Sequence, residues 1–197
     1  MSTPRVTFEV RPEQPVDRNG VLRVIASAFG EDGDRVADIW AGLGHHRCSG
    51  LVVEQGGHLL GHVGLSRAWV DARRSLVEVW VLSPLSVAPD RQREGIGTAL
   101  VAAALETARL SGVPALFLEG SPSYYGARGF ERGDLHGFLP AALERTPRAS
   151  FRCRVFETHE AWMSGQLIYP DIWWRHDAAG LRDPDLAQAE DRLGGPE

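Results

Sequence analysis

Apolar and polar positions alternate along Thr7–Arg11, which predicts a short first strand ended by Pro12 and Pro15. Asp17 stands where it can cap a helix through Phe29, because Val21, Leu22, Ile25 and Phe29 share one face at the helical spacing. Gly30 to Gly33 is a break, and Val36, Ile39, Trp40 and Leu43 resume the helical spacing from about Asp34 to His46. Gly50–Glu54 and Leu59–Val70 read as strands joined at Gln55-Gly56-Gly57, a turn whose glycines tolerate positive φ. Another strand runs from about Ser75 to Val87. Turns this short make the neighbours antiparallel.

The second half of the pattern differs. From Thr98 to Leu110, Leu100, Val101, Ala104, Leu105 and Ala108 form one apolar stripe, stopped by Gly112 and Pro114. Ala115–Leu118 is continuously apolar, as in an interior parallel strand, so strand, loop, helix and strand make a βαβ unit. A short helix over Pro140–Arg145 and a last strand over Phe151–Phe156 follow. The fold class expected is α/β, or α+β in some schemes: a mixed, mostly antiparallel central sheet of six to seven strands flanked by helices. Beyond Glu157 the periodicity fades, yet Trp162, Trp173 and Trp174 are too apolar for a free tail. Residues 1–160 are therefore read as the domain. Residues 161–197 are read as an extension packed on it or on a second subunit, and the closing Gly194-Gly195-Pro196-Glu197 as frayed.

Composition narrows the function classes. A chain of 197 residues with 43% hydrophobic content supports one domain with a real core. A formal charge of −5 argues against nucleic acid or an anionic membrane as the main partner. All 21 positive charges are arginine, from which no function follows. Cys48 and Cys153 stand apart, so neither a zinc site nor a disulfide framework is suggested, and reduced thiols point to a cytoplasmic protein. His58 and His62 lie on one face of a strand without further metal ligands, and are read as ordinary strand histidines. No early stretch has the pattern of a signal peptide, and no run is long enough to span a bilayer.

The chemistry concentrates in Ser83–Leu110, SPLSVAPDRQREGIGTALVAAALETARL. A strand passes through a polar loop and two glycines into an alanine-rich helix. The first amides of such a helix lack intrahelical acceptors and face the positive end of its dipole, so they make an anion site. Gly95 and Gly97 let backbone N–H groups come against phosphate oxygens, and Arg91 and Arg93 add mobile positive charge.

The order Gln92-x-x-Gly95-x-Gly97 resembles the signature loop of the GNAT superfamily of N-acetyltransferases, which holds the pyrophosphate of acetyl-CoA. Tyr125, followed by Gly129-Phe130 just past the next strand, resembles a second family segment. Its paired tyrosines and proline-containing loop look like a bacterial branch of predicted acetyltransferases. The asparagine that often precedes this tyrosine in other branches is absent. The resemblance covers Phe8 to Phe130.

It implies a GNAT fold with the βαβ unit holding acetyl-CoA, and a set of site residues. Amides of Gln92, Arg93, Glu94, Gly95, Ile96, Gly97 and Thr98 hold the pyrophosphate, while backbone of Leu85, Ser86 and Val87 pairs with the pantetheine arm. Tyr125 protonates the leaving thiolate, with Tyr124 as understudy. The general base stays open: Val81 stands where many members carry a carboxylate, and Glu78 is a candidate if a bulge near Ser83-Pro84 turns it around. The activity implied is transfer of an acetyl group to an amine of a small molecule, peptide or protein. The alternative is a non-catalytic acyl-CoA-binding module, for which the missing carboxylate is the symptom. The acidic groups Glu31, Asp32, Asp34 and Asp38 suit a cationic acceptor or a plain solvated face. The aromatic extension favours a homodimer. A dinucleotide-binding oxidoreductase fits poorly, since G-x-G-x-x-G is missing.

Overall fold

The computed structural model describes residues 8–193. Strands are β1 (Val10–Pro12), β2 (Arg47–Gln55), β3 (His58–Ala72), β4 (Leu76–Val87), β5 (Ala115–Glu119), β6 (Glu131–Arg132), β7 (Phe138–Leu139), β8 (Phe151–Val155) and β9 (Gly165–Ile168). Helices are α1 (Arg18–Phe29), α2 (Gly33–Gly42), α3 (Ile96–Ser111), α4 (Pro122–Gly126), α5 (Asp171–Arg175) and α6 (Asp185–Leu193). The strands hydrogen-bond in the order β1-β2-β3-β4-β5-β8-β6, and β9 pairs with β3 and β7. The pairs β1–β2, β2–β3, β3–β9, β5–β8 and β6–β8 are antiparallel, whereas β4–β5 and β7–β9 are parallel. This is a mixed α/β fold on a large, mostly antiparallel sheet flanked by helices.

The chain divides into two compact units, one reaching Ser66 and resuming over Leu82–Thr107, the other made of Arg67–Val81 and the chain from Ala108 onward. In the first unit the apolar faces of α1 and α2 are buried, with Val21, Ile25, Ile39, Trp40 and Leu43 inside beside Val52, Val63 and Leu65 of the sheet. The opening turns of α3 seat Ile96 and Leu100 against β3 at Gly61. Both are fully buried, as the apolar stripe requires.

In the second unit β5 is the centre. Its Phe117 meets Phe138 edge-on at 4.8 Å and stacks on Phe151 at 5.6 Å between ring centroids. Burying a side chain of this size is worth about 1.5–3 kcal/mol. Trp69–Ala72 of β3 pair with Gly165–Ile168, so part of the 161–197 stretch is a strand of the sheet. Tyr169, Ile172, Trp173 and Ala179 beyond it are buried.

Several sequence expectations change. The first strand starts at Val10, and Thr7 lies outside the described residues, as do Gly194–Glu197. The second helix ends at Gly42, because Gly44 adopts a left-handed φ of 53° and the chain tightens into a short 3-10 turn over Gly44–His46. The helix expected over Pro140–Arg145 is a set of turns. Pro147 drives Thr146 out of the helical region, leaving a run too short to repay nucleation. β6, β7 and β9 are additional strands. Four residues or fewer carry no readable period.

Candidate active site

Burial along β4 alternates on Val77, Val79 and Val81, then shifts phase to Leu82, Pro84 and Ser86. The buried side of the strand thus changes phase at Val81–Leu82, and Glu78 stays on the exposed side. β5 pairs with β4 through Trp80–Leu116 and Val81–Phe117, and β4 continues past the last of these pairs to Val87. Along that continuation Leu85 and Val87 keep some exposure, while Ser86 is buried and its Oγ has no partner among the described residues.

The loop that follows is built from backbone. Ala88 N–H donates to Leu60 O at 2.9 Å, which ties the end of β4 to β3. A 3-10 turn over Pro89–Arg91 leads to Arg93, at a φ of 68°, and to Gly95, at 99°. The Gly95 conformation lies outside the range of other residues, and nothing stands within 4 Å of where its Cβ would be. Gly95 O then accepts from Ala99 N–H at 3.0 Å, closing the first turn of α3. Gln92 to Gly95 and Thr98 are exposed, Gly97 is half-buried and Ile96 is buried. Exposed loop and helix opening together form a ledge of backbone amides at a helix N-terminus. An anion fits such a ledge.

One expected contribution is corrected. Arg91 is not mobile charge: its Nε and Nη2 bind both carboxylate oxygens of Glu94 at 2.9–3.1 Å, and Nη2 also reaches Gln55. Glu94 therefore turns its side chain to Arg91. Gln92 Nε2 lies 3.4 Å from Val87 O. A cavity of about 750 Å³ beside α1, lined by Arg11, Asp17, Arg23, Glu54 and His58 among others, contains none of the predicted cofactor residues. Arg11 bridges Asp17 and Glu54 there, so its charge is already spent on carboxylates.

Tyr125 sits in the second unit on α4. Ser121 caps that helix, its Oγ accepting from Tyr124 N–H at 3.3 Å. The Tyr125 ring packs edge-on against Phe130 at 5.8 Å and lies directly over Gly120, where a Cβ would come within 2.5 Å of its Cε2. Only glycine leaves room for the ring. Burial, with Tyr124 adding to it, pushes the Tyr125 phenol above its ordinary range, so it is a protonated donor at neutral pH. Tyr124 is held differently, with the Arg128 guanidinium 3.5 Å from its ring centroid.

Glu78, on the outer part of β4, is half exposed and paired with Arg67 Nε at 2.9 Å. A different carboxylate was missed by sequence reasoning. Glu119 closes β5 one residue before Gly120, accepting hydrogen bonds from the hydroxyls of Tyr169 and Thr146. A charge ending an otherwise apolar ALFL run was the only signal for it. Among the described residues no group of three or more His, Cys, Asp or Glu is arranged to hold a metal ion.

The model of the Acetyltransferase (GNAT) family matches residues 21–132, more than half of the chain. The chain belongs to the GNAT family of acetyltransferases. YjhQ of Escherichia coli (strain K12), an uncharacterized N-acetyltransferase, is 28% identical over 170 residues, covering 85% of this chain and 87% of YjhQ. A GNAT family acetyltransferase from Brucella melitensis, solved in complex with acetyl-CoA, has a TM-score of 0.68 at 25% identity, covering 85% of this chain and 98% of that one. The E. coli GNAT family protein YhbS, solved in complex with CoA, has a TM-score of 0.76 at 22% identity, with 89% and 96% covered. The GNAT fold and the transferase family are thereby shown.

Proposed function

We propose that the protein transfers the acetyl group of acetyl-CoA to an amine of a small molecule, peptide or protein by direct attack of the amine on the thioester. The observation that carries this reading is the amide ledge: a loop with Gly95 at a φ of 99° opening into α3, on the residues that match the family's pyrophosphate signature. Acetyl-CoA and CoA bound to the Brucella and YhbS proteins support the donor.

In this reading amides from Gln92 to Thr98 hold the pyrophosphate, and Leu85, Ser86 and Val87 offer backbone groups to the pantetheine arm as an added strand would. Tyr125 gives its proton to the thiolate. The stretch from Gly165 to Ala179 belongs to the working domain, supported by the pairing of β9 with β3 and the burial of Tyr169, Ile172, Trp173 and Ala179. A cytoplasmic location is supported by two free cysteines, and among the described residues no helix is long and apolar enough to cross a membrane.

Calorimetry with acetyl-CoA, followed by a CoA-release screen over amines, peptides and aminoglycosides, tests the proposal. Saturable binding with amine-dependent release is expected. Gly95→Val forces a side chain into a glycine-only conformation and weakens acetyl-CoA about 10- to 100-fold. Tight binding with no release across the panel makes the protein a binding module instead.

A further inference from the structure

Glu119 is a carboxylate whose charge has no matching cation. Tyr169 Oη donates to its Oε1 at 2.9 Å and Thr146 Oγ1 to its Oε2 at 3.2 Å. Tyr169 follows β9 and Thr146 lies between β7 and β8, so three distant stretches converge on one side chain. Among the described residues no arginine or histidine lies within ion-pair distance of it. Arg145 is the nearest positive influence, and its guanidinium is 3.4 Å from Asp177 instead. Tyr169 is fully buried and stacks on Trp173 at 5.2 Å, which fixes the direction of its hydroxyl.

A buried carboxylate is ordinarily paired or neutralised. Here two hydroxyls occupy one lone pair on each oxygen, the remaining lone pairs are unused, and the residue as a whole is half-buried. The next residue is Gly120, over which the Tyr125 ring lies. The missing cation and the exit of β5 beside the proposed acid belong together.

We propose that Glu119 receives the ammonium of the acceptor and takes its proton, with Tyr169 as the positioning residue. This rests on the acetyltransferase reading above. One proton passes from the ammonium to Glu119, and the freed lone pair forms the N–C bond to the thioester carbonyl. The C–S bond breaks with its electrons on sulfur, the thiolate takes the Tyr125 proton, and the second N–H proton restores the phenol through solvent. The sum is ammonium plus acetyl-CoA giving amide, CoA and one proton. Burial raises the Glu119 carboxyl above its ordinary range, against the two hydroxyls and the Arg145 charge that lower it. A raised carboxyl is shifted in the direction that a proton acceptor for an ammonium needs.

The test measures CoA release against pH, with the best primary amine of the screen, for the wild type and for Glu119→Gln and Tyr169→Phe. Glu119→Gln should lose 100-fold or more in kcat with acetyl-CoA affinity within twofold, and should lose the acid limb of the profile. Tyr169→Phe removes a donor that lowers the carboxyl, so its acid limb should move to higher pH. Carbon-13 titration of labelled glutamate carboxyls follows the same group directly, and Glu119→Asp should recover part of the rate. An undiminished rate with an unchanged acid limb in Glu119→Gln overturns this inference alone. If the wild type binds acetyl-CoA and releases no CoA with any amine, the acetyltransferase reading falls and this inference with it.

Discussion

Two carboxylates inside this protein are kept in opposite ways. Glu119 at the end of β5 is held by neutral hydroxyls, and the residue as a whole is half-buried. Glu13, in the other unit, is nearly sealed: its Oε2 is 3.3 Å from His62 Nε2 and its Oε1 3.6 Å from Arg47 Nη1. His62 is wholly buried with Trp40 edge-on at 4.8 Å, and the Arg47 guanidinium lies over the Trp40 ring, 4.2 Å from its centroid. Glu13 has the Arg47 cation and the His62 imidazole built in beside it, whereas Glu119 has neither. A proton gained or lost at Glu119 leaves its neighbours' hydrogen bonds largely in place, but one gained at the Glu13–His62 pair must be accommodated by the packing itself. Hence pH should reach the activity through the first site, and a fall in pH should cost stability through the second.

The sharpest division comes from Tyr125→Phe beside the Glu119 variants. Deleting the phenolic oxygen removes the proton given to the thiolate and should lower kcat about 10²- to 10⁴-fold. The ring stays over Gly120 and against Phe130, so Tm should hardly change. An equal loss of Tm and activity would show that the oxygen is structural, and the β5 exit would then be no different in kind from the sealed pair.

Stability should answer at the other site. Burial holds the His62 imidazole below its ordinary range, Glu13 opposing, so the folded state favours neutral His62. As pH falls below about 6.5 the unfolded chain binds a proton that the folded chain resists, and stability declines by at most about 1.4 kcal/mol per pH unit. Asp17, held low by its hydrogen bonds to Arg11, adds its own loss only at more acidic pH. Urea unfolding at pH 7.5 and 5.5 measures the decline. His62→Gln should flatten it between those values while leaving kcat in place, and a slope that persists in the variant would assign the titration elsewhere.

The same contrast explains what could be read from the chain alone. The amide ledge is local: Gly95, the loop and the α3 stripe are contiguous, and their geometry is set by backbone, so the pattern of glycine and alanine announces it. Tyr125 also belongs to a contiguous turn. Glu119 is 50 positions from Tyr169 and 27 from Thr146, and nothing in either neighbourhood encodes the meeting. Arg91 looked mobile because its partner Glu94 reads equally well as an exposed loop residue. The Pro140–Arg145 run was cut short by Pro147, a local signal, whereas the Leu181 N–H that reaches the Arg145 carbonyl at 2.7 Å is a tertiary tie that no local pattern announces.

The smallest effect is expected at Glu78, and it bears directly on where the base lies. Its carboxylate stands on the exposed part of β4 with Arg67 Nε at 2.9 Å, and both side chains are between a third and a half exposed. A pair so open to water contributes about 0–1 kcal/mol to stability. It also has a cation already, so an acceptor ammonium would have to displace Arg67 to reach it. Glu78→Gln should therefore change kcat less than about twofold and leave the acid limb of the profile where it was, since that limb reports the ionisation of the essential base and of the groups that touch it. Should the limb disappear in Glu78→Gln and survive in Glu119→Gln, the proton acceptor belongs to β4, and Glu119 becomes a second structural carboxylate of the Glu13 kind.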